Sequence, residues 1–168
     1  MKRLTLLRHA EAGKGARDFE RPLTEKGRRD AARMGAAMAE LRLAPDLVLS
    51  SPSARTRQTL EHVAPHLKDR ARAEFPDALY NASPSAILSE IWAAPESAAH
   101  ILVIGHNPGL HALSLSLVDH ARSDAAAIVE TARRFPPGAL AHFEFAAAEW
   151  TAADERLGVL LHFAAPED

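Results

Sequence analysis

Four side chains of this sequence are of the types that transfer a phosphoryl group: Arg8, His9, Arg55 and His106. A neutral imidazole has an unprotonated ring nitrogen that can attack phosphorus, and nearby guanidinium groups favour this state because they disfavour a further positive charge. Planar guanidinium groups also bind phosphoryl oxygens and stabilise transition-state charge better than lysine does. We therefore expect His9 to be the attacking group, with Arg8 and Arg55 holding the phosphoryl group.

The second histidine, His106, follows an apolar segment and precedes a predicted helix. Asn107 is placed to cap that helix, and Pro108 suits its first position. The first N–H groups of such a helix would face an anion. Each feature is common on its own, and an isolated histidine at a strand end is more often structural. Their combination with the Arg-His pair is what predicts an anion site.

These side chains need elements that bring them together, and the sequence predicts alternating strands and helices. Apolar runs typical of buried strands lie at 4–7, 46–50, 71–75 and 100–104. Helical patterns are expected from the N-cap Thr24 to Leu41, over 53–67 with a bend or end near Pro65, over 83–94 and over 109–118. Two more strands, 140–145 and 157–163, are expected to close the sheet. The alternation predicts an α/β fold with a largely parallel sheet and the site beyond its strand ends.

Length and composition narrow the function classes. The 168 residues suit one domain over 1–168. A net charge of −2 offers no overall attraction to nucleic acid or to an anionic membrane. Without cysteine there is no thiolate nucleophile, and the sequence shows no signal peptide or apolar stretch long enough to span a bilayer. We expect a cytoplasmic protein without nucleic-acid or membrane partners.

Four blocks of the sequence resemble the histidine phosphatase superfamily in the family's order: LRHAE at 7–11, RPLT at 21–24 with Gly27, SSPSARTRQT at 50–59 and GHNP at 105–108. Among its branches, the sequence is most similar to the compact bacterial phosphohistidine phosphatases (SixA-like), because of the RPLT block and the short chain. The resemblance implies a phosphoglycerate mutase-like, three-layer α/β/α sandwich with a mostly parallel central sheet and no large cap subdomain.

The resemblance also implies roles for individual residues. His9 would be transiently phosphorylated, Arg8 and Arg55 would clamp the phosphate, and His106 would stabilise the transferring group. Arg21 follows a loop that could fold back over the site, so we expect it to bind substrate; the alternative is a solvated loop arginine. Asn107 is expected to bind substrate as well.

No metal or other cofactor is expected. His62 and His66 have the i, i+4 spacing of a helical zinc pair. However, no glutamate lies between them and Pro65 disturbs the helix.

One departure from the family bears on the substrate. Phosphomutases and many phosphoester phosphatases of this superfamily place a carboxylic acid between the two histidine motifs, and its counterpart is not evident here. Asp77 is the only acid in 77–81, and Glu90 lies on a predicted helix further along. An alkoxide leaving group needs a positioned proton donor, whereas the imidazole of phosphohistidine departs readily once protonated. The missing acid therefore favours phosphohistidine.

The short separation between Arg55 and His106 leaves little chain for a capping subdomain, so we expect an open site, with 118–137 able to supply a modest lid. An open site admits a phosphorylated protein loop, such as that of a histidine-containing phosphotransfer protein. Two other functions stay open: a phosphatase of small phosphoesters or phosphoanhydrides, and a non-catalytic module that binds phosphorylated partners. The sequence does not decide the substrate, the oligomeric state or the proton donor for the leaving group.

Overall fold

A mixed six-stranded sheet forms the centre of the computed structural model, which describes residues 1–68 and 70–167. Its strands are β1 Lys2–Arg8, β2 Leu47–Ser50, β3 Arg72–Glu74, β4 His100–Gly105, β5 Leu140–Phe145 and β6 Val159–Ala164. The spatial order is β3-β2-β4-β1-β5-β6; the first four strands are parallel to one another, β5 is antiparallel to β1, and β6 is antiparallel to β5. This three-layer α/β arrangement confirms the predicted fold class.

Within the described residues, five α-helices cover the sheet: α1 Glu25–Glu40, α2 Ala54–Val63, α3 Pro84–Trp92, α4 Gly109–Leu117 and α5 Ala125–Arg133. The helix predicted over 53–67 ends as α-helix at Val63 and continues as a 3-10 turn, Ala64–His66, in which Pro65 has no N–H to donate. Among the helices of 1–68 and 70–167, none combines the length and apolar character needed to cross a bilayer.

Helix α5 lies within the segment for which a lid was considered, and the sequence analysis did not predict it. The Asp124 side chain caps it by accepting from the Ala127 N–H, and the helix packs against β6. Its sequence does carry a helical period, with Ala127 and Thr131 on the buried face, and the sequence analysis did not use this signal.

The central strands β1 and β4 are buried on both faces because helices cover both sides of the sheet. Leu6 and Val103 belong to a cluster that includes residues of α3, α4 and α5. Leu7 and Ile104, one position further along each strand, belong to a second cluster with residues of α1 and α2. β1 and β4 pair directly with each other, and both contribute side chains to the two clusters. Their carboxyl ends are therefore held in a fixed register.

Helix α1 packs directly on the chain segment that follows β1. Thr24 caps the helix by accepting from the Gly27 N–H at 2.9 Å, as predicted. A Cβ atom at Gly27 would lie 2.1 Å from the Glu11 carbonyl oxygen, so only glycine permits this approach. The contact anchors the start and the end of the 10–24 loop beside the end of β1.

Two buried histidines, His100 in β4 and His142 in β5, lie on the two strands that neighbour β1. The Thr5 hydroxyl hydrogen-bonds His100 Nε2 and His142 Nδ1, each at 2.9 Å. Burial lowers the pKa of His100 to about 4 and, together with the neighbouring histidines, the pKa of His142 to about 3. Both rings are therefore neutral at neutral pH.

We expect the free energy of unfolding to fall as the pH drops below the ordinary histidine pKa of 6.5 towards 4. The unfolded chain takes up protons there that the folded chain does not, and each such proton changes stability by about 1.4 kcal/mol per pH unit. Urea unfolding across this range should show a shallower pH dependence for His142→Gln than for the wild type. The exposed His120→Gln is the matched control; equal slopes in His142→Gln and wild type would contradict the expectation.

Candidate active site

The carboxyl ends of β1, β2 and β4 meet at one edge of the sheet, and the residues predicted from the sequence lie there. Arg8 ends β1 opposite Gly105, the last residue of β4. His9 and His106 follow these two strands directly, and their ring centroids lie 5.4 Å apart. Arg55, in the first turn of α2, is close enough to both imidazoles to lower their pKa values. The structure thus brings all four side chains together, while their catalytic roles stay predictions.

The His9 ring is held in one tautomer. Its Nδ1 lies 2.7 Å from the Ala10 carbonyl oxygen, which can only accept, so Nδ1 carries the proton and Nε2 is unprotonated. Burial lowers the pKa of His9 to about 4, and the positive charges of Arg55 and Arg8 lower it as well. At neutral pH, His9 therefore has a lone pair on Nε2 for nucleophilic attack.

The His106 ring is oriented by Ser51. Its Nε2 lies 2.7 Å from the Ser51 hydroxyl oxygen, and burial first, then Arg55 and His9, lowers the pKa of His106 to about 3. When the Ser51 hydroxyl donates this bond, the neutral ring carries its proton on Nδ1. That atom is buried and has no partner among the residues described, so it is a donor suited to a phosphoryl oxygen.

One guanidinium nitrogen of each arginine donates a hydrogen bond to a backbone carbonyl. Arg8 donates from one Nη to the Phe135 carbonyl at 3.0 Å, and Arg55 donates to the Asp18 carbonyl at 2.8 Å. Burial and the charge of Arg55 lower the pKa of Arg8, which reflects the repulsion between the two cations. Both Nε groups are buried without a partner in the described chain. An anion between them would satisfy these donors and relieve the repulsion.

A carboxylate that the sequence analysis missed lies beside Arg55. Asp18, in the 3-10 turn Asp18–Glu20 between β1 and α1, accepts from Arg55 and Arg21 at 3.2 Å each and from the Tyr80 hydroxyl. The Tyr80 ring packs edge-on against His106 and against Phe19. The sequence signal that could have identified Asp18 is its position three residues before Arg21, in a loop already expected to fold back over the site.

The Asp18 carboxyl group is ionised in this setting. Its hydrogen bond from Tyr80 lowers the pKa of Asp18, and the bonds from Arg21 and Arg55 lower it further. In turn, this bond raises the pKa of Tyr80. Asp77, the acid considered from sequence, lies exposed in another 3-10 turn, Asp77–Leu79, and its carbonyl accepts from the Tyr80 N–H.

Arg21 lies at the rim of the site. It donates from Nε to the Gly13 carbonyl at 2.9 Å and from Nη to Asp18 at 3.2 Å, and its charge contributes to the lowered pKa of His9. The loop does fold back as expected, and Asp18 ties the Arg21 guanidinium to the same network as Arg55. A substrate contact for Arg21 stays a prediction.

The N-cap position of the helix after β4 differs from the prediction by one residue. Helix α4 begins at Gly109, so Pro108 takes the N-cap position and Asn107 precedes it. The Asn107 Oδ1 atom accepts from the His111 N–H, and its Nδ2 donates to the Phe135 carbonyl. The expectation that the first N–H groups of this helix face an anion is wrong for Leu110 and His111, because His106 and Asn107 accept from them.

Asn107 therefore connects the turn to the carbonyl that also holds Arg8. Its predicted contact with substrate is not tested by this geometry. Within 1–68 and 70–167, no three His, Asp or Glu side chains are grouped so that they could hold a metal ion.

Comparison with known proteins places these features in a family context. The sequence pattern of the histidine phosphatase superfamily (branch 1) matches residues 4–80. A Nakamurella multipartitia structure, provisionally designated phosphohistidine phosphatase SixA, is 33% identical, with a TM-score of 0.86 over 98% of this chain and 96% of that chain. The protein histidine phosphatase SixA, solved with tungstate, is 25% identical with a TM-score of 0.78 over 97% and 96% of the two chains.

Sequence similarity extends over almost the whole chain. An uncharacterised Mycobacterium tuberculosis protein is 31% identical over 95% of this chain and 99% of its own length. The phosphoglycerate mutase of Plasmodium falciparum, at 13% identity and a TM-score of 0.56 over 99% of this chain and 89% of that chain, shares the fold alone.

Proposed function

The chain belongs to the histidine phosphatase superfamily, and from this premise we propose that it dephosphorylates phosphohistidine on a protein by way of a phosphorylated His9. Histidine phosphatase activity follows from the family; the substrate and the residue roles are the proposal. The observation that carries it is the His9 ring, neutral and with Nε2 unprotonated, beside the guanidinium groups of Arg8 and Arg55.

In the first step, His9 Nε2 attacks phosphorus while Arg8, Arg55 and the Nδ1–H of His106 stabilise the phosphoryl oxygens. The bond between phosphorus and the substrate imidazole breaks, and its electron pair returns to that ring nitrogen. If the other nitrogen of the substrate ring carries a proton, the imidazole departs neutral. No proton then has to be transferred to the leaving atom.

In the second step, water attacks the phosphorus on His9. The bond between phosphorus and Nε2 breaks, its electron pair returns to His9, and dihydrogen phosphate leaves before losing a proton to solvent. His9 returns to its starting tautomer because Nδ1 has kept its hydrogen bond to the Ala10 carbonyl throughout.

The ionised state of Asp18 supports phosphohistidine over an ester. An ester needs a proton donor for its departing oxygen, and a carboxyl group whose pKa is lowered by three hydrogen bonds holds no proton at neutral pH. A structural neighbour that was solved with tungstate, a tetrahedral oxyanion, supports an anion as the ligand of this fold.

The proposal extends to the partner and the setting. A phosphorylated protein, for example a histidine-containing phosphotransfer protein, is the proposed partner in the cytoplasm. The proposed unit is one phosphatase domain over 1–168, and it works without a metal ion.

The test is a reaction with a protein carrying labelled phosphohistidine, denatured in alkali at short times, beside a matched assay with glycerol 3-phosphate, an alkyl ester whose departing oxygen needs a proton. We expect kcat/KM at least about tenfold higher for phosphohistidine, label on His9, and no effect of a chelator. A preference for the ester would overturn the substrate, label on another residue would overturn the intermediate, and inhibition by the chelator would overturn metal independence. No turnover of either substrate would favour a binding module.

A further inference from the structure

Resting on this proposed function, we propose that Asp18 binds the leaving group: its carboxylate accepts a hydrogen bond from the protonated ring nitrogen of the substrate imidazole that does not carry phosphorus. Asp18 would then select leaving groups that present an N–H donor or a positive charge. In this role Asp18 is a specificity-determining residue.

The position of Asp18 suits a leaving group and not the phosphoryl group itself. The Arg55 side chain is 5% exposed and the Asp18 side chain 47%, so the two partners mark the boundary between the buried arginines and solvent. In-line attack by the buried His9 directs the leaving atom away from Nε2. A leaving group that departs towards solvent would therefore pass the rim at which Asp18 lies.

The carboxylate also has room for one more hydrogen bond. An ionised carboxylate has about four acceptor positions on its two oxygens. Arg21 occupies one on Oδ1, while Arg55 and the Tyr80 hydroxyl both bind Oδ2. One position on Oδ1 therefore stays available, on an oxygen whose direction is set by the other three bonds.

The chemistry of the leaving group gives this bond a function. A nearby negative charge favours the protonated form of the substrate ring, and that form departs as a neutral imidazole when its bond to phosphorus breaks. The Asp18 carboxylate keeps its charge throughout, because it accepts the hydrogen bond without taking the proton. A departing ester oxygen has no N–H group and becomes negative, so the same carboxylate disfavours it.

The aromatic neighbours of Asp18 fit a flat leaving group. Phe19 follows Asp18 in the 3-10 turn, is 42% exposed, and packs edge-on against Tyr80 at 5.1 Å between ring centroids. An imidazole at the rim could pack against these rings while its N–H reaches the carboxylate.

The experiment compares Asp18→Asn with the wild type on two substrates, a protein carrying phosphohistidine and p-nitrophenyl phosphate. We expect kcat/KM for phosphohistidine to fall at least about tenfold, because a hydrogen bond to a charged group is lost. For the aryl phosphate we expect a rise of about threefold, because a negative charge next to Arg55 is removed. Glu20→Gln is the matched control: it removes the same charge from the same turn, where Glu20 pairs with Arg17, and should leave both values unchanged.

Tyr80→Phe is the second variant. It removes one anchor of the carboxylate without changing its charge, and should lower phosphohistidine turnover several-fold. Thermal unfolding checks that the variants fold. Equal loss on both substrates, or no loss on phosphohistidine, in folded Asp18→Asn would overturn the role of Asp18 alone. A wild type that does not turn over phosphohistidine would overturn the proposed function together with this inference.

Discussion

Replacing His9 with alanine is expected to lower kcat/KM at least about 1,000-fold for every phosphorylated substrate and to abolish the trapped phosphoenzyme. The imidazole Nε2 is the only nucleophile in the proposed first step, and alanine offers nothing in its place. Steady-state turnover and a short reaction with labelled phosphohistidine protein measure both effects.

The matched control is His120→Ala, which removes an exposed imidazole outside the site and should keep wild-type turnover. Thermal unfolding should show that the His9→Ala protein is folded. Turnover within tenfold of the wild type in this variant would refute His9 as the nucleophile. Label on His106 would instead identify His106 as the nucleophile and leave His9 as the stabilising histidine.

Replacing Arg55 with lysine should lower kcat/KM about 100-fold although the positive charge is kept. Lysine cannot present the planar fork that bonds the Asp18 carbonyl and carboxylate through two nitrogens and leaves Nε for the substrate. Its single amine also cannot make the loop contact and the phosphoryl contact at once.

Arg57→Lys serves as the control for this substitution. Arg57 lies on the same helix, and its guanidinium packs over the Phe75 ring and bonds the Pro52 carbonyl, away from the two histidines. We expect its turnover to stay within about twofold of the wild type. Near-normal turnover of Arg55→Lys would remove Arg55 from the proposed phosphoryl clamp.

The fold was predictable because its signals are local. An apolar run that stops at Arg8 indicates where β1 ends, and Thr24 as an N-cap indicates where α1 begins. The rule that parallel strands carry sites at their carboxyl ends then places His9 and His106 at one edge. Helix α5 was not predicted, although its sequence carries a helical contrast about as strong as that of α1.

The network around the site was not predictable in the same way. Asp18 and Tyr80 lie 62 positions apart, and Arg8 and Asn107 meet at the Phe135 carbonyl only through the path of the following loops. No local pattern reports such contacts, since they depend on how loops of unequal length cross the sheet edge.

By itself, the sequence determined the types of the candidate catalytic side chains, their order and the strands that end beside them, because these depend on composition and short-range periodicity. Only the tertiary structure decided which ring nitrogen of His9 is free, which hydroxyl orients His106, and that an ionised carboxylate faces Arg55. Proton positions and charge states follow from hydrogen-bond partners and burial, and those exist only once distant segments have packed together.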